Sequence, residues 1–170
     1  MNRVTLLIGG NEGDRALLID QATEQIRQRI GSVVALSSVY ETEPWGNFEI
    51  QDSESGIQNF LNRALLVETT LSPWQVLRTA LGIESLLGRK RDFKDPKVSK
   101  DLTPSRLYHS RPMDIDIIFY DDLVLDTPEL TLPHPRMHLR QFVLEPLAEI
   151  MPDYVHPTLQ KSITQLLHEI

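Results

Sequence analysis

The sequence predicts an α+β fold: an antiparallel sheet with both main helices packed on one face. Three observations lead there. Runs of strand character occur at residues 3–9, 32–41, 60–69 and 113–120. Two stretches with helical periodicity lie between the first and second runs and between the third and fourth. The resulting order, β-α-β-β-α-β, suits helices segregated to one side of an antiparallel sheet, with the last strand as the fourth of the core.

The first strand ends in Gly9-Gly10-Asn11-Glu12-Gly13-Asp14, a glycine-rich turn. Such a turn presents backbone amides to a phosphate or a polar ring, but it lacks the lysine and the spacing of a nucleoside-triphosphate loop. Asp14 caps a helix whose apolar stripe runs Ile19, Ala22, Ile26, Ile30 and which Gly31 stops. After the second strand, Thr42-Glu43-Pro44-Trp45-Gly46 opens a loop reaching about Gln58. Loops of that length in compact domains are more often functional than idle.

The third strand places Phe60, Asn62 and Ala64 on one face and Leu61, Arg63 and Leu65 on the other. Asn62 is a polar residue among apolar ones, either a satisfied structural amide or a ligand reader. Ser72-Pro73-Trp74-Gln75 then supplies an N-cap, a first-turn proline and a capping-box glutamine for a helix reaching Leu87, with Gly88 as its stop. Its stripe of Leu77, Ala80, Leu81 and Leu87 includes Glu84, a carboxylate that needs a partner such as Arg89 or Arg111.

Residues 90–109 show no period, and Pro96 and Pro104 oppose a helix, so a long loop is expected. Its mixed charges and missing apolar pattern predict mobility in the free protein and closure over bound ligands. Beyond the fourth strand the sequence predicts a short hairpin of residues 123–125 with 130–132. Pro133-His134-Pro135-Arg136 follows, then a helix over about 137–145 and a covering tail with an amphipathic run at 162–170. His134, held between prolines, suits an anion donor, with Arg140 beside it; no third ligand supports zinc with His138.

The stretch with most chemistry is Arg-Pro-Met-Asp-Ile-Asp-Ile-Ile-Phe-Tyr, residues 111–120. Strand alternation puts Met113, Ile115, Ile117 and Phe119 on one face and Asp114, Asp116, Ile118 and Tyr120 on the other. Alternate Cα atoms of a strand lie roughly 6.5 to 7 Å apart, room for a cation between two carboxylates. Two readings are open: an edge strand with a solvated face, or a divalent-cation site. Oxygen-only ligands favour magnesium, completed by water and substrate phosphates. Arg111 supplies a planar fork for phosphate.

The chain has 170 residues, 41% of them hydrophobic, which allows one domain, residues 1–170, with a real core. Zero cysteines exclude disulfides, zinc-thiolate sites and a thiol nucleophile, and fit a reducing compartment. Neither a signal peptide nor a membrane span is visible, so a cytoplasmic protein without a membrane partner is expected. A net charge of -7 argues against nucleic acid as a partner. Yet Arg89, Lys90, Arg91, Lys94, Lys97, Lys100, Arg106 and Arg111 cluster near the carboxylate strand, which suits a compact polyanion such as a nucleoside triphosphate.

Taken together, several motifs carry a family likeness. They are Gly9-Gly10-Asn11, Tyr40 to Gly46, Asn59-Phe60-Leu61-Asn62, Glu84 with Gly88-Arg89, Arg111 with Asp114-Ile115-Asp116, Leu132-Pro133-His134-Pro135-Arg136, and Arg140-Gln141-Phe142. In this order, over nearly the whole chain, they resemble the 6-hydroxymethyl-7,8-dihydropterin pyrophosphokinases of folate biosynthesis. The resemblance implies a ferredoxin-like fold with flanking helices and long active-site loops, acting as a monomer. It also implies transfer of diphosphate from ATP to the pterin hydroxymethyl group with release of AMP.

Carried over, Asp114 and Asp116 match the ligands of two Mg2+ ions, and Arg89 and Arg111 match catalytic arginines. Glu84, Arg91, His134 and Arg140 match ATP-binding positions. Phe60 and Phe142 resemble the aromatic pair around the pterin. Asn62 with Thr42 resembles its edge reader, and Asn11, Pro44, Trp45 and Tyr108 complete that pocket. The family's tryptophan and glycine before the aspartates are here Tyr108 and His109, at the end of a longer loop.

Two other readings compete. A nucleotidyltransferase also combines a Gly-Gly turn with an Asp-x-Asp strand, but close together in sequence, whereas here about a hundred residues separate them. A non-enzymatic ligand-binding module leaves Arg89, Arg111, Glu84 and His134 without a joint explanation.

Overall fold

The computed structural model describes residues 1–43, 47–48, 58–88, 107–108 and 111–170, with backbone alone for 47–48 and 107–108. The strands β1 (Asn2–Gly10), β2 (Ser32–Leu36), β3 (Tyr40–Thr42), β5 (Phe60–Thr69) and β7 (Asp114–Tyr120) form the main sheet, and β4 (Asn47–Phe48) lies outside it. Its order is β2-β5-β1-β7, every neighbouring pair antiparallel, with β3 alongside β5. With β2 and β3 as one interrupted strand, this is the β-α-β-β-α-β arrangement the sequence predicts.

Helices α1 (Arg15–Arg29) and α2 (Pro73–Leu86) start where predicted. The Asp14 carboxylate accepts the Leu17 N–H, and Ser72 and Gln75 exchange both bonds of a capping box. Gly88, with φ of 101°, follows α2 in the left-handed conformation that glycine tolerates best. Both helices pack on one sheet face over Val4, Leu6, Ile8, Leu65, Val67, Met113, Ile115 and Ile117. The stripe of α2 differs from expectation: Val76 and Ile83 join Ala80 and Glu84 in the interior, and Leu81 is only half-buried.

The opposite face is covered by the C-terminal segment. A 3-10 turn (Met137–Leu139) leads to α3 (Gln141–Ile150), and α4 (Ile163–His168) packs beside it over Leu7, Ala64, Ile118 and Phe119. The predicted helix over 137–145 is therefore broken at Arg140, whose backbone is extended, and resumes through Pro146 to Ile150. Burial of Val143, Leu144, Pro146 and Leu147 offsets the one helical N–H that proline removes.

Three other expectations are corrected. The strand predicted over 32–41 is interrupted at Ser37–Val39 because Ser37 Oγ accepts the Ala64 N–H, replacing a ladder bond with a side-chain bond. The alternation of β7 breaks at a bulge: Leu6 pairs with Ile117 and Thr5 with Phe119. Ile118 and Phe119 both face the C-terminal helices, while Tyr120 turns to the α1 and α2 side. Within the two long loops, β4 and β6 (Leu107–Tyr108) pair in parallel. The predicted hairpin forms with a slightly later first arm, β8 (Leu125–Asp126) with β9 (Thr131–Leu132).

The interruption after β2 is anchored from α3. Glu149 accepts bonds from Ser38 N at 3.0 Å, Ser38 Oγ at 2.8 Å and the Tyr40 hydroxyl at 2.6 Å. The Tyr40 hydroxyl, then the Ser38 donors, hold the Glu149 carboxyl below its usual range. The same bond, with desolvation second, pushes the Tyr40 phenol up to about 12. A carboxyl lowered on folding contributes stability above its unfolded value of about 4.3, and loses it as pH falls through the folded value. The melting temperature of native protein is therefore expected to exceed that of Glu149→Ala at neutral pH by a small margin, since the cluster is exposed. That margin closes as pH falls from about 5 to about 3; one independent of pH would contradict this.

Candidate active site

Strand register builds the site. On β1, Gly9 pairs with Asn62 of β5 on one side and with Asp114 of β7 on the other. Leu7 likewise sits between Ala64 and Asp116. Asn62 and Asp114 are thus two strands apart in one row, roughly 10 Å at the backbone, on the face away from α1 and α2. Nothing projects from Gly9 between them. A methyl group there would fall on the Asn62 amide oxygen and lie 2.6 Å from the Leu61 carbonyl oxygen, so the glycine is what lets the amide lie across β1.

An open cleft lies above these rows. Phe60 and Asn62 of β5 with Thr42 of β3 line it on one side of β1, Asp114 and Asp116 of β7 with Arg111 on the other, and Arg140 and Phe142 come to it from the start of α3. Asn62 is 5% exposed, and its Nδ2 donates to Thr42 Oγ1 at 3.1 Å, which fixes the amide's orientation. The Arg140 guanidinium lies 5.7 Å from the centre of the Phe142 ring, so α3 begins with a cation over an aromatic face. Arg111 Nη1 stands 3.4 Å from Asp114 Oδ2, both side chains largely shielded from water. The cleft therefore combines two aromatic residues and an oriented amide with carboxylates and guanidinium groups.

The outer edge of β7 is closed by side chain and loop. Glu84, fully buried in the last turns of α2, accepts the Ile115 N–H at 2.7 Å, and the His134 N–H donates to the Ile118 carbonyl at 3.0 Å. The Ile115 amide lies between the two aspartates in sequence, so Glu84 holds the strand that presents them.

Residues 5–152 match the family model described as 7,8-dihydro-6-hydroxymethylpterin-pyrophosphokinase. The chain belongs to that family. A 2-amino-4-hydroxy-6-hydroxymethyldihydropteridine pyrophosphokinase of Porphyromonas gingivalis is 37% identical over 155 residues, covering 91% of this chain and 93% of the relative. The enzyme of the same name from Aquifex aeolicus is 35% identical, covering 99% and 92%. Among solved structures, Plasmodium falciparum HPPK-DHPS with pteroate superposes with a TM-score of 0.72 at 16% identity, which speaks to fold alone. This chain is covered to 99% there and spans 42% of that longer chain.

Of the residues predicted for a pyrophosphokinase site, the cleft gathers Thr42, Phe60, Asn62, Arg111, Asp114, Asp116, Arg140 and Phe142. His134 lies beside the outer edge of β7, its Nδ1 accepting the Arg136 N–H at 3.3 Å, and does not line the cleft. Glu84 is beneath the site and not in its wall. Asn11 is 2% exposed and binds backbone: its Oδ1 accepts the Arg111 N–H and its Nδ2 donates to the Gln58 carbonyl. Pro44, Trp45, Arg89 and Arg91, the side chain of Tyr108, and most of the loop expected to close over ligands lie outside the described residues.

Leu7, Gly9 and Glu43 also line the cleft and were not singled out as site residues from the sequence. Strand alternation from the glycine turn carries the signal for Leu7 and Gly9, once β1 is known to lie between β5 and β7. Gly9→Ala is expected to displace the Asn62 amide. Pterin affinity should then fall about as much as in Asn62→Ala, with ATP affinity within about twofold, as read by calorimetry. Equal loss of both affinities would mean that Gly9 shapes the whole cleft.

Proposed function

We propose that the chain transfers the terminal diphosphate of ATP to the hydroxymethyl oxygen of 6-hydroxymethyl-7,8-dihydropterin, releasing AMP, in folate biosynthesis. The supporting observation is the row Asn62, Gly9, Asp114, which brings an oriented amide into one cleft with two aromatic residues, two carboxylates and two arginines. Phe60 and Phe142 offer aromatic faces to the pterin ring, and Asn62, oriented by Thr42, reads its edge.

In the reaction the pterin hydroxyl oxygen bonds to the β-phosphorus. The bond from that phosphorus to the α-phosphate oxygen breaks, AMP leaves with the electron pair, and the hydroxyl proton passes to water. Such transfers need positioning and charge stabilisation more than a covalent nucleophile. Arg111, beside Asp114, is placed to neutralise the moving diphosphate, with Arg89 as its proposed partner, and Arg140 to meet the nucleotide. Asp114 and Asp116 are oxygen-only donors on one strand, in a cleft open to phosphates, which suits two Mg2+ ions held jointly with ATP. When bound, the metal ions screen the phosphate charge and fix the triphosphate.

Glu84 and His134 serve ATP binding by holding β7 and its flanking loop. Arg91 is proposed at the nucleotide, and Pro44, Trp45 and Tyr108 at the pterin. The chain is read as a single-domain cytoplasmic monomer without nucleic-acid or membrane partners; among the described residues no helix is long and apolar enough to cross a membrane. The test is ATP labelled separately at the β- and γ-phosphorus: both labels must appear together on the pterin. Transfer of the γ label alone would contradict the proposal.

A further inference from the structure

Asn11 is nearly inaccessible, yet its groups reach two segments far apart in sequence. Its backbone N–H donates to the Arg111 carbonyl at 2.9 Å, and its Oδ1 accepts the Arg111 N–H at 2.8 Å. One asparagine thereby closes both backbone groups of Arg111 in a reciprocal pair beyond the β1–β7 ladder, whose last pair is Gly9 with Asp114. Its Nδ2 donates to the Gln58 carbonyl at 3.3 Å, two residues before Phe60. Neighbouring contacts favour the same alignment: the Pro112 carbonyl fills the space a Gly10 Cβ would need, and Arg15 Nη1 donates to the Asn59 carbonyl at 2.8 Å.

We infer that Asn11 is a positioning residue for Arg111, aiming the guanidinium at the phosphate compartment through the backbone, and secondarily for the chain entering Phe60. This rests on the catalytic role proposed for Arg111. The side chain suits the task because it offers an acceptor and a donor at once, and an amide carries no charge to compete with the nearby aspartates. A displaced Arg111 costs turnover without removing any group that touches substrate, since misplacement by about 1 Å can cost on the order of a hundredfold.

A double-mutant cycle with Arg111 tests this. Asn11→Ala is expected to lower kcat roughly ten- to a hundredfold in the native background, and less than about threefold further in Arg111→Ala, because there is then no guanidinium left to aim. Asn11→Asp keeps an oxygen for the Arg111 N–H but loses the donor to Gln58. Its kcat should lie above that of Asn11→Ala while its KM for pterin rises as in Asn11→Ala. The Asp variant carries the same cycle if the Ala variant does not fold. Losses that multiply with Arg111→Ala, or kcat per folded molecule unchanged while the melting temperature falls, would overturn the inference. Failure of the native enzyme to form AMP would instead overturn the proposed reaction.

Discussion

Asp114→Asn and Asp116→Asn are each expected to lower turnover by on the order of 10²- to 10³-fold or more while leaving the fold intact. Both carboxylates line the cleft, on one face of β7, and neither supports the apolar core. Asparagine has nearly the same shape, so packing is unchanged, and in each variant a carboxylate that repels its neighbour is gone. Asp114→Asn also weakens its pair with Arg111, so its melting temperature should match that of native protein, whereas Asp116→Asn should match or exceed it. Turnover measured against magnesium concentration, beside thermal melts, checks both. Substantial magnesium-dependent activity in both variants would remove the metal assignment.

Asn62→Ala is expected to weaken pterin binding by about 1 to 3 kcal/mol, roughly 5- to 150-fold, with little change for ATP. The asymmetry follows from the row across the sheet. Asn62 is held by Thr42, with β1 between it and Asp114, so removing the amide does not disturb the carboxylates directly. Calorimetry with each ligand separates the two affinities. A parallel fall in ATP affinity would place Asn62 in the wrong compartment.

Local signals in the sequence were strong wherever a single element decides its own structure. Caps at Asp14 and Ser72, the stop at Gly88 and the limits of β5 follow from side-chain chemistry within a few residues. What escaped depended on partners distant in the chain. The break at Ser37–Val39 needs Ala64 and Glu149, and the bulge at Ile118 needs the register of β1. Neither leaves a mark on hydrophobic period, because Ser37 and Ile118 are ordinary strand-compatible residues.

The site divides the same way. Asp114 and Asp116 are legible as a same-face pair from strand alternation, and the structure puts both in the wall of the cleft. The bond from Glu84 to the Ile115 N–H was not legible: an arginine was the natural expectation for a buried carboxylate, and the backbone contact adds a tie to β7 that only the packing of α2 reveals. Asn11 is drawn to the pocket by its motif, and the fold also ties its amide to the backbone of Arg111 and Gln58, which the motif alone does not reveal. Motif position shows that a residue matters to a site; only three-dimensional neighbours distinguish touching the substrate from holding what does.

The most direct measurement is the nucleotide product formed from ATP and 6-hydroxymethyl-7,8-dihydropterin in the presence of magnesium. AMP is the expected product, formed one for one with the pterin diphosphate and dependent on the pterin. ADP as the product, or nucleotide turnover indifferent to the pterin, would contradict it.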